Sequence, residues 1–515
     1  MRNFLFVCLL SVLLSQSTEV VAQQKLQLKP NDSVVYIGNT MADRMQHHAW
    51  LETYIHATHP KHQLTFRNLG FSGDEVKLRQ RSNNFGSPDD WMNKAKADVV
   101  FLFFGYNEAL KGNEELAKFE KDLGEVIDSM QAQKYNDKWA PTLVVFSPIA
   151  HENLRTPNLP SGSENNHKLA AYTAGMKKVC EAKKVAFVDL FAASQELYDD
   201  ADKPLTMNGI HLLDHGNKAV AGAVMKDLFP SAKIPDDKSI AKLREVVLDK
   251  NYYWFSRYRV VDGYNVFGGR SRLAWDGISN ADVMKREMEI FDIMTENRDK
   301  RVWAVATGGD LEIKDDNIPK QLVVPANKQS KFQKSLGEYL DPVEAIDKMT
   351  IHEGMQVNLF ASEKEFPRLV NPVQTAVDTD SRLWVSVWPS YPHWNPVEKR
   401  EDAILIFPDE NNDGKADECI VFADELNSIT GFEFWGGGVL VAAPPEIWFM
   451  KDTDGDDKAD VKIRMLQGIS SADTHHSANA MIITPDGYLN WSRGIFNVAA
   501  FETPTHTHRT GASGV

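Results

Sequence analysis

Four short blocks in the first half of the chain combine a hydroxyl, amides and an imidazole, the groups from which a nucleophilic site is built. The blocks are Gly38-Asn39-Thr40, residues 68–75 (NLGFSGDE), Gly105-Tyr106-Asn107-Glu108 and Asn208-Gly209-Ile210-His211. All four lie at or near the carboxyl ends of predicted strands, which is where ligands bind in open α/β sheets. The spacing therefore predicts one polar site that is assembled from four separate loops.

Five apolar runs of β type must position these blocks, and they cover residues 33–38, 63–69, 98–104, 142–147 and 186–190. Amphipathic helical patterns lie between them, as in Leu116–Met130, where apolar residues recur every three to four positions. Nearly continuous apolar strands that alternate with helices are typical of a parallel sheet covered on both faces. We therefore expect an α/β domain.

In order and spacing, the four blocks resemble those of the SGNH (GDSL-type) hydrolases, a family of esterases and acylhydrolases whose blocks read GDS, a glycine block, GxND and DxxH. The resemblance implies a flavodoxin-like, three-layer α/β/α domain over residues 25–232 that hydrolyses ester bonds without a cofactor. It places Thr40 at the nucleophile, Gly73 and Asn107 at the oxyanion hole, and His211 at the general base. Such chemistry requires a hydroxyl activated by an imidazole and donors aimed at the oxygen that becomes negative.

Three positions depart from the family pattern. The family serine is Thr40, its neighbouring aspartate is Asn39, and the aspartate that orients the histidine is Asn208. Asparagine cannot stabilise an imidazolium by charge, and the equivalent Asp→Asn change costs a triad protease about four orders of magnitude in rate. Three alternatives follow: His211 works in a dyad, another carboxylate such as Asp214 stands in, or the domain has kept the fold and lost or changed the chemistry.

Composition limits the class of protein. The chain has 515 residues, of which 43% are hydrophobic and 25% charged, as in a globular protein with roughly three folding units. Its net charge of −15 excludes nucleic acid and anionic lipid as partners. Outside the N-terminal segment the cysteines are Cys180 and Cys419, which fall in different predicted domains, so we expect no structural disulfide.

The N-terminus has the pattern of a signal peptide. Arg2 precedes an apolar stretch over residues 4–14, and Val20-Val21-Ala22 offers a cleavage site. Eleven apolar residues are too few to cross a bilayer, which needs about 20, and no later segment comes close. We expect residues 1–22 to be removed, with the mature protein secreted or periplasmic and without a transmembrane segment.

Residues 233–345 differ in character from the α/β region and predict a helical connector and linker. Two long helical patterns lie around residues 238–258 and 281–304. The first contains an aromatic cluster over residues 252–258, which could form a platform for a sugar or belong to the core.

From residue 346 onward the pattern is one of short strands and turns. An apolar run behind an Asp or Gly turn occurs at residues 380–387, 436–443 and 485–492, with central leucines spaced 57 and 49 residues apart. Strand-rich repeats of about 50 residues are typical of β-propeller blades. Residues 346–515 hold about three such blades, so we expect an incomplete propeller that would continue beyond Val515.

Two acidic loops in this region place oxygen ligands at alternate positions, as a hard cation such as Ca²⁺ requires. The candidate ligands are Asp409, Asn411, Asp413 and Asp417 in the first loop, and Asp452, Asp454, Asp456 and Asp460 in the second. The first loop has glycine at the turn position, where the second has Asp457, so the first is the better match. Neither has the glutamate that completes an EF-hand, and solvated turns without metal are the alternative.

A second resemblance involves residues 473–494, where a histidine lies about ten residues before a Pro-Asp-Gly turn. This stretch resembles the catalytic-histidine blade of quinoprotein sugar dehydrogenases, and its surroundings resemble the propeller of PVC-type membrane-bound dehydrogenases. The matching stretches are residues 371–378, 382–394 and 430–442. The resemblance implies that His476, with or without His475, abstracts a hydroxyl proton from a sugar. A quinone, a haem or an electron-transfer domain would need sequence beyond Val515.

Three functions therefore stand after the sequence alone. The first is an exported hydrolase that acts on acylated carbohydrate or small esters. The second is an oxidoreductase whose propeller does the chemistry. The third is a carbohydrate-binding module on a degenerate hydrolase fold. The retained Thr40 hydroxyl, Asn107 and His211 favour the hydrolase.

Overall fold

A computed structural model of the protein describes most of the chain. The described residues are 26–324, 340–474, 476–495, 497–511 and 513–514. The predicted signal peptide over residues 1–22 lies outside them, as do His475 and part of the predicted linker. Over the described ranges, we find no helix with the length and apolar character that crossing a membrane would demand.

Five parallel strands form the sheet of the α/β domain, in the order β2-β1-β3-β4-β5. They are β1 (Ser33–Gly38), β2 (Thr65–Asn68), β3 (Val99–Phe103), β4 (Thr142–Phe146) and β5 (Ala186–Val188). Every residue of β1 and β3 is buried, as expected for central strands that are covered on both faces. The predicted α/β class and all five predicted strands are confirmed.

Helices cover both faces of this sheet. They are α1 (Thr40–His48), α2 (Trp50–Thr58), α3 (Pro88–Ala95), α4 (Tyr106–Ala109), α5 (Leu116–Gln131), α6 (Ser163–Lys183), α7 (Leu190–Asp200) and α8 (Asp214–Leu228). Successive β1 side chains enter opposite cores: Val34 and Tyr36 pack with the residues of α2 and α8, and Val35 and Ile37 with those of α5 and α6. Alternation along each strand thus builds the three layers.

Two long helices of the predicted connector pack on each other and on the α/β domain. They are α9 (Asp237–Arg259) and α10 (Asn280–Ala306), which flank a small hairpin of β6 (Ala274–Trp275) and β7 (Ile278–Ser279). The buried Lys250 ammonium lies 2.7 Å from the Glu52 carboxylate of α2, and Arg259 pairs with Asp43 of α1 at 2.5 Å. The connector is therefore joined to the α/β domain by buried ion pairs.

The aromatic cluster of α9 divides between two roles. Trp254 and Tyr258 are buried, and their polar atoms donate to the backbone carbonyls of Asn68 and Leu69 at 2.8 and 3.2 Å. These two rings belong to the core. Other members of the cluster, Tyr252 and Phe255, line a cavity of 290 Å³.

The C-terminal region is built of antiparallel sheets. After α11 (Pro342–Asp347), two four-stranded sheets have the orders β11-β10-β9-β8 and β12-β13-β14-β15, and the hairpins β16-β17 and β18-β19 follow. The strands are β8 (Pro372–Val377), β9 (Leu383–Val387), β10 (Asp402–Phe407), β11 (Ile420–Leu426), β12 (Gly431–Trp435), β13 (Gly438–Ala443), β14 (Glu446–Lys451), β15 (Val461–Gln467), β16 (Ala478–Ile483), β17 (Leu489–Arg493), β18 (Ala499–Glu502) and β19 (Thr507–Thr510). The three predicted strand signatures coincide with β9, β13 and β17. Closure into a propeller stays a prediction.

Candidate active site

The four predicted blocks meet at the carboxyl edge of the parallel sheet. β1 and β3 are neighbours, so the segments that follow them, Asn39-Thr40 and Gly105–Asn107, lie side by side. Asn39 caps α1 by accepting the backbone N–H of Met41 at 3.1 Å, which fixes Thr40 as the first residue of the helix. The loop after β2 brings Gly73, and the loop before α8 brings His211.

Three donors converge on one oxygen at the centre of this edge. The backbone N–H groups of Thr40 and Gly73 and the side-chain amide of Asn107 donate to Oε1 of Glu502, at 2.9, 3.1 and 2.8 Å. The predicted pairing of Gly73 with Asn107 therefore exists, and Thr40 adds a third donor that the sequence did not indicate. Glu502, at the end of β18 in the C-terminal region, was not anticipated at all.

The Asn107 amide is held in one orientation. Its Nδ2 also donates to the backbone carbonyl of Asp74 at 3.0 Å, and its Oδ1 accepts from the Thr507 hydroxyl at 2.5 Å. Because both ends of the amide are engaged, the nitrogen must face Glu502. The donor set is thus preorganised around a negative oxygen.

His211 is oriented by Asn208. Oδ1 of Asn208 accepts the backbone N–H groups of His211 and Ile210 at 3.0 and 3.3 Å, which leaves Nδ2 facing the imidazole Nδ1 at 3.1 Å. An amide nitrogen can only donate, so His211 Nδ1 accepts and the ring proton lies on Nε2. This tautomer is the opposite of the one that a general base requires.

The charge states of His211 and Glu502 are set by burial and by each other. Burial, and then the nearby Arg44 guanidinium, lower the pKa of His211 to about 4. Burial would raise the pKa of Glu502, but the contacts with His211 and the donors at Thr40 and Asn107 outweigh it, and the pKa is lowered. At neutral pH the site therefore holds a carboxylate 3.9 Å from Nε2 of a neutral imidazole.

The Thr40 hydroxyl has a hydrogen-bond partner other than the imidazole. It donates to the Ser72 hydroxyl at 2.9 Å, which in turn donates to the backbone carbonyl of Gln467 in β15 at 3.1 Å. Ser72 belongs to the second sequence block, yet its contact with Thr40 was not predicted. In this arrangement Ser72 links the Thr40 hydroxyl to the C-terminal region, and Thr40 is not an activated nucleophile.

Asp214 does not support His211, so that alternative is wrong. Its carboxylate accepts from the Trp50 indole at 3.1 Å, contacts His48 Nδ1 at 3.1 Å, and also pairs with Arg244. Asn208 is consequently the residue that orients the histidine.

Little space is left beside the buried carboxylate. The cavity that borders Tyr106, His211 and Glu502 measures 20 Å³, room for about one water molecule. A substrate can enter only if the segment that carries Glu502 moves.

His476, the base that the second resemblance implies, lies just before β16. His476 is half-exposed, and its Nδ1 lies 3.4 Å from the buried Asp473 carboxylate. His475, its predicted companion, lies outside the described residues. The role of His476 as a base stays a prediction.

The two acidic loops differ in geometry. Among the described residues, Asp452, Asp454 and Asp456 offer ligand oxygens within 4.8 Å of one another, so the second loop gathers three of its four predicted ligands. Asp460 accepts instead from Thr453. In the first loop, Asp409 accepts the backbone N–H groups of Asp413 and Gly414, Asn411 accepts from Asp413, and Asp417 accepts from Glu410 and Asn411. Asp452 of the second loop likewise accepts backbone N–H groups, from Asp454, Gly455 and Asp457. The loops therefore differ in the clustering of three carboxylates and not in their backbone contacts, and metal binding by either stays a prediction.

Comparison with known proteins bears on both halves of the chain. Residues 32–219 match the GDSL-like lipase/acylhydrolase family, and residues 341–513 match a domain family of unknown function, DUF7133. No curated protein gave a significant match.

Several solved structures are similar to part of the chain. One is a gut microbial diltiazem-metabolizing enzyme, with 18% identity and a TM-score of 0.32, for which 40% of this chain covers 48% of that chain. Another is a catalytic mutant of an acetylxylan esterase from Geobacillus stearothermophilus, with 17% identity, a TM-score of 0.31, and coverage of 40% and 97%. A third is an α/β hydrolase from the metagenome of Lake Arreo, Spain, with 18% identity, a TM-score of 0.31, and coverage of 39% and 96%. Through the family match, residues 32–219 are a GDSL-like lipase/acylhydrolase domain.

Proposed function

We propose that the α/β domain hydrolyses ester bonds of acylated carbohydrate or of small esters, in a protein exported from the cell. The observation that carries the proposal is the convergence of Thr40 N, Gly73 N and Asn107 Nδ2 on one negative oxygen at 2.8–3.1 Å. Donors at about 2.7–3.1 Å from the developing oxyanion are what ester hydrolysis needs. The GDSL-like match supports the same reaction class.

The chemistry requires Glu502 to leave the cleft and the Thr40 hydroxyl to exchange its bond with Ser72 for one with His211. The ester carbonyl oxygen takes the place of Glu502 Oε1, and Thr40 Oγ1 bonds to the carbonyl carbon while its proton passes to His211 Nε2. The alcohol leaves with that proton, and water then hydrolyses the acyl-threonine to release the acid. His211 can accept the proton only in the other tautomer, for which the Asn208 amide must turn its oxygen toward Nδ1. We therefore expect slow turnover.

The test measures hydrolysis of p-nitrophenyl acetate and of acetylated xylan by the full chain and by a Glu502→Ala variant. Thr40→Ala and His211→Ala are added in the Glu502→Ala background, with His215→Ala as the matched control. His215 Nε2 contacts the Pro204 carbonyl, away from the donors. Activity that is lost in the Thr40 and His211 variants and kept in the control supports the proposal. Activity that is indifferent to both changes would refute it.

A second candidate function is binding without turnover, which the Asn208 contact favours. Asn208 donates to Nδ1 and so holds the base in the unproductive tautomer, while the Thr40 hydroxyl is engaged by Ser72. On this alternative no variant that retains Asn208 hydrolyses either substrate, although the donors still bind an anion. The same assay separates the two candidates.

For the C-terminal region, we propose a propeller-like stack with a calcium site in the second acidic loop. Two consecutive four-stranded antiparallel sheets support this arrangement, since such sheets are the units that propellers repeat. The three clustered carboxylates offer the hard oxygen ligands that Ca²⁺ prefers. The quinoprotein oxidoreductase alternative has no support from the comparisons, because residues 341–513 match a family of unknown function.

A further inference from the structure

The segment that carries Glu502 is a short hairpin, residues 499–510, formed by β18 and β19; we call it the cleft hairpin. It lies across the carboxyl edge of the parallel sheet, although 339 to 462 residues separate it in sequence from its hydrogen-bond partners in the α/β domain. Its strands pair with each other in register, from Ala499 opposite Thr510 to Glu502 opposite Thr507. The hairpin therefore presents Glu502 from a defined backbone.

Contacts on both sides of Glu502 hold the cleft hairpin in place. The Tyr106 hydroxyl donates to the Thr503 carbonyl at 2.8 Å, and the Asn165 amide donates to the Pro504 carbonyl at 2.6 Å. On the other strand, Arg509 donates to the Gly73 carbonyl at 2.5 Å and pairs with Glu75 at 2.8 Å. These contacts align the hairpin with the same loops that form the oxyanion hole.

Gly73 allows the cleft hairpin to pack closely against the loop that follows β2. Its φ of +75° is a conformation that glycine adopts readily, and a Cβ at this position would lie 2.6 Å from the Cβ of Ala500. The hairpin and the loop thus fit only without a side chain at residue 73. Glycine at this position serves docking of the hairpin as well as the N–H donor.

The carboxylate of Glu502 is bound as a ligand would be. Glu502 is 5% exposed. Its Oε1 accepts three hydrogen bonds, and its Oε2 lies 3.9 Å from His211 Nε2. A buried carboxylate is costly unless it is fully hydrogen-bonded, and here the donors come from the predicted catalytic machinery. Among the described residues, every hydrogen bond to the Glu502 carboxylate comes from the α/β domain and none comes from the C-terminal region.

We propose that the oxyanion hole of this domain is a carboxylate receptor whose resident ligand is Glu502, so that the cleft hairpin closes the esterase site of its own chain. Its role in closing an esterase rests on the proposed function, but carboxylate binding does not. When Glu502 is removed, the receptor takes a free short-chain carboxylate such as acetate, because the same three donors remain. Ester hydrolysis begins only when the hairpin withdraws from the cleft.

The test uses the full chain and sodium acetate, with sodium chloride at equal ionic strength as the salt control. Thermal unfolding and amide hydrogen exchange are measured for wild type, Glu502→Ala and the matched control Glu446→Ala. Glu446 is an equally buried glutamate of the C-terminal region that pairs with Arg464 instead of the hole. We expect acetate to raise the Tm of Glu502→Ala alone, and exchange in residues 499–510 to become at least about tenfold faster in that variant.

A second variant keeps the test decisive if Glu502→Ala does not fold. Ala500→Phe retains Glu502 and every donor, but its ring collides with the loop at Gly73 and forces the hairpin outward. Acetate should then bind to this variant too. If neither variant binds acetate more tightly than wild type does, the receptor is refuted.

Hydrolysis is scored separately on the same samples. Acetate binding together with ester turnover in the opened variants supports both proposals. Acetate binding without turnover would overturn the proposed function and leave the receptor standing. Turnover by wild type at the same rate as by the opened variants would show that the hairpin does not close the site.

Discussion

Replacing Asn208 with aspartate should convert His211 into a competent general base. The change is made in the Glu502→Ala background, so that the donors and the imidazole can meet a substrate. Asn208 Nδ2 now lies 3.1 Å from His211 Nδ1 and fixes the ring proton on Nε2. A carboxylate in the same place accepts the proton of Nδ1–H, which frees the Nε2 lone pair and stabilises the imidazolium.

The reverse change in a triad protease sets the magnitude, since it costs about 10⁴ in rate, or about 5.5 kcal/mol. Here Thr40 is a poorer nucleophile than serine and must also give up its bond to Ser72. We therefore expect Asn208→Asp to raise kcat/KM for p-nitrophenyl acetate by about 10² to 10⁴. Burial and Arg44 lower the pKa of His211 to about 4, and a neighbouring carboxylate should raise it. The rise of kcat/KM with pH should then move to higher pH.

Asn39→Asp is the matched control. It adds the same charge at the other position where the family has an aspartate, and an aspartate can still cap α1. It should leave the rate within about threefold of its parent. The reasoning is refuted if the Asn208→Asp protein is folded and binds acetate, yet hydrolyses the ester no faster than its parent.

Three further predictions concern stability and metal binding. Because the pKa of Glu502 is lowered from its ordinary value of 4.5, the ionised carboxylate stabilises the folded chain at every pH above 4.5. The Tm difference between wild type and Glu502→Gln should therefore persist at about pH 7 and vanish as the pH falls through the lowered pKa. Asp43→Asn leaves a buried arginine without its charge partner and should lower the free energy of unfolding in urea by about 3–5 kcal/mol. Asp137→Asn, in an exposed ion pair, should cost less than about 1 kcal/mol, and equal costs would contradict the burial argument. Calorimetric titration should show Asp454→Asn weakening Ca²⁺ binding by at least about tenfold and Asp417→Asn leaving it unchanged, and a reversed order would place the ion in the first loop.

The sheet could be predicted because it depends on local sequence, and two donors of the oxyanion hole could be predicted because their blocks resemble those of a known family. Continuous apolar runs such as the one over residues 99–104 specify buried parallel strands, and the loops after such strands must share one edge of the sheet. The resemblance to the SGNH hydrolases then assigned Gly73 and Asn107 to one oxyanion hole.

The occupant of the hole could not be predicted, because nothing near Glu502 in sequence indicates where its carboxylate goes. It ends a short strand of otherwise apolar residues, and its partner Thr40 is 462 residues away. The tautomer of His211 was equally hidden, since it depends on which end of the Asn208 amide faces the ring. Which acidic loop gathers three carboxylates was hidden for a related reason: residue spacing does not fix the distances between side-chain oxygens.

Helix α9 determines where the chain can be cut if the α/β domain is to be produced without the C-terminal region. A truncation at residue 232 would strip Lys250 and Arg259 from Glu52 and Asp43, two carboxylates that are almost completely buried. It would also expose the surface that Trp254 covers, so the remainder would carry both uncompensated charge and bare apolar area. The shortest segment that folds independently should therefore extend through α10 to Ala306. We expect shorter versions of the domain to aggregate, which would make them unsuitable for activity assays or crystallisation.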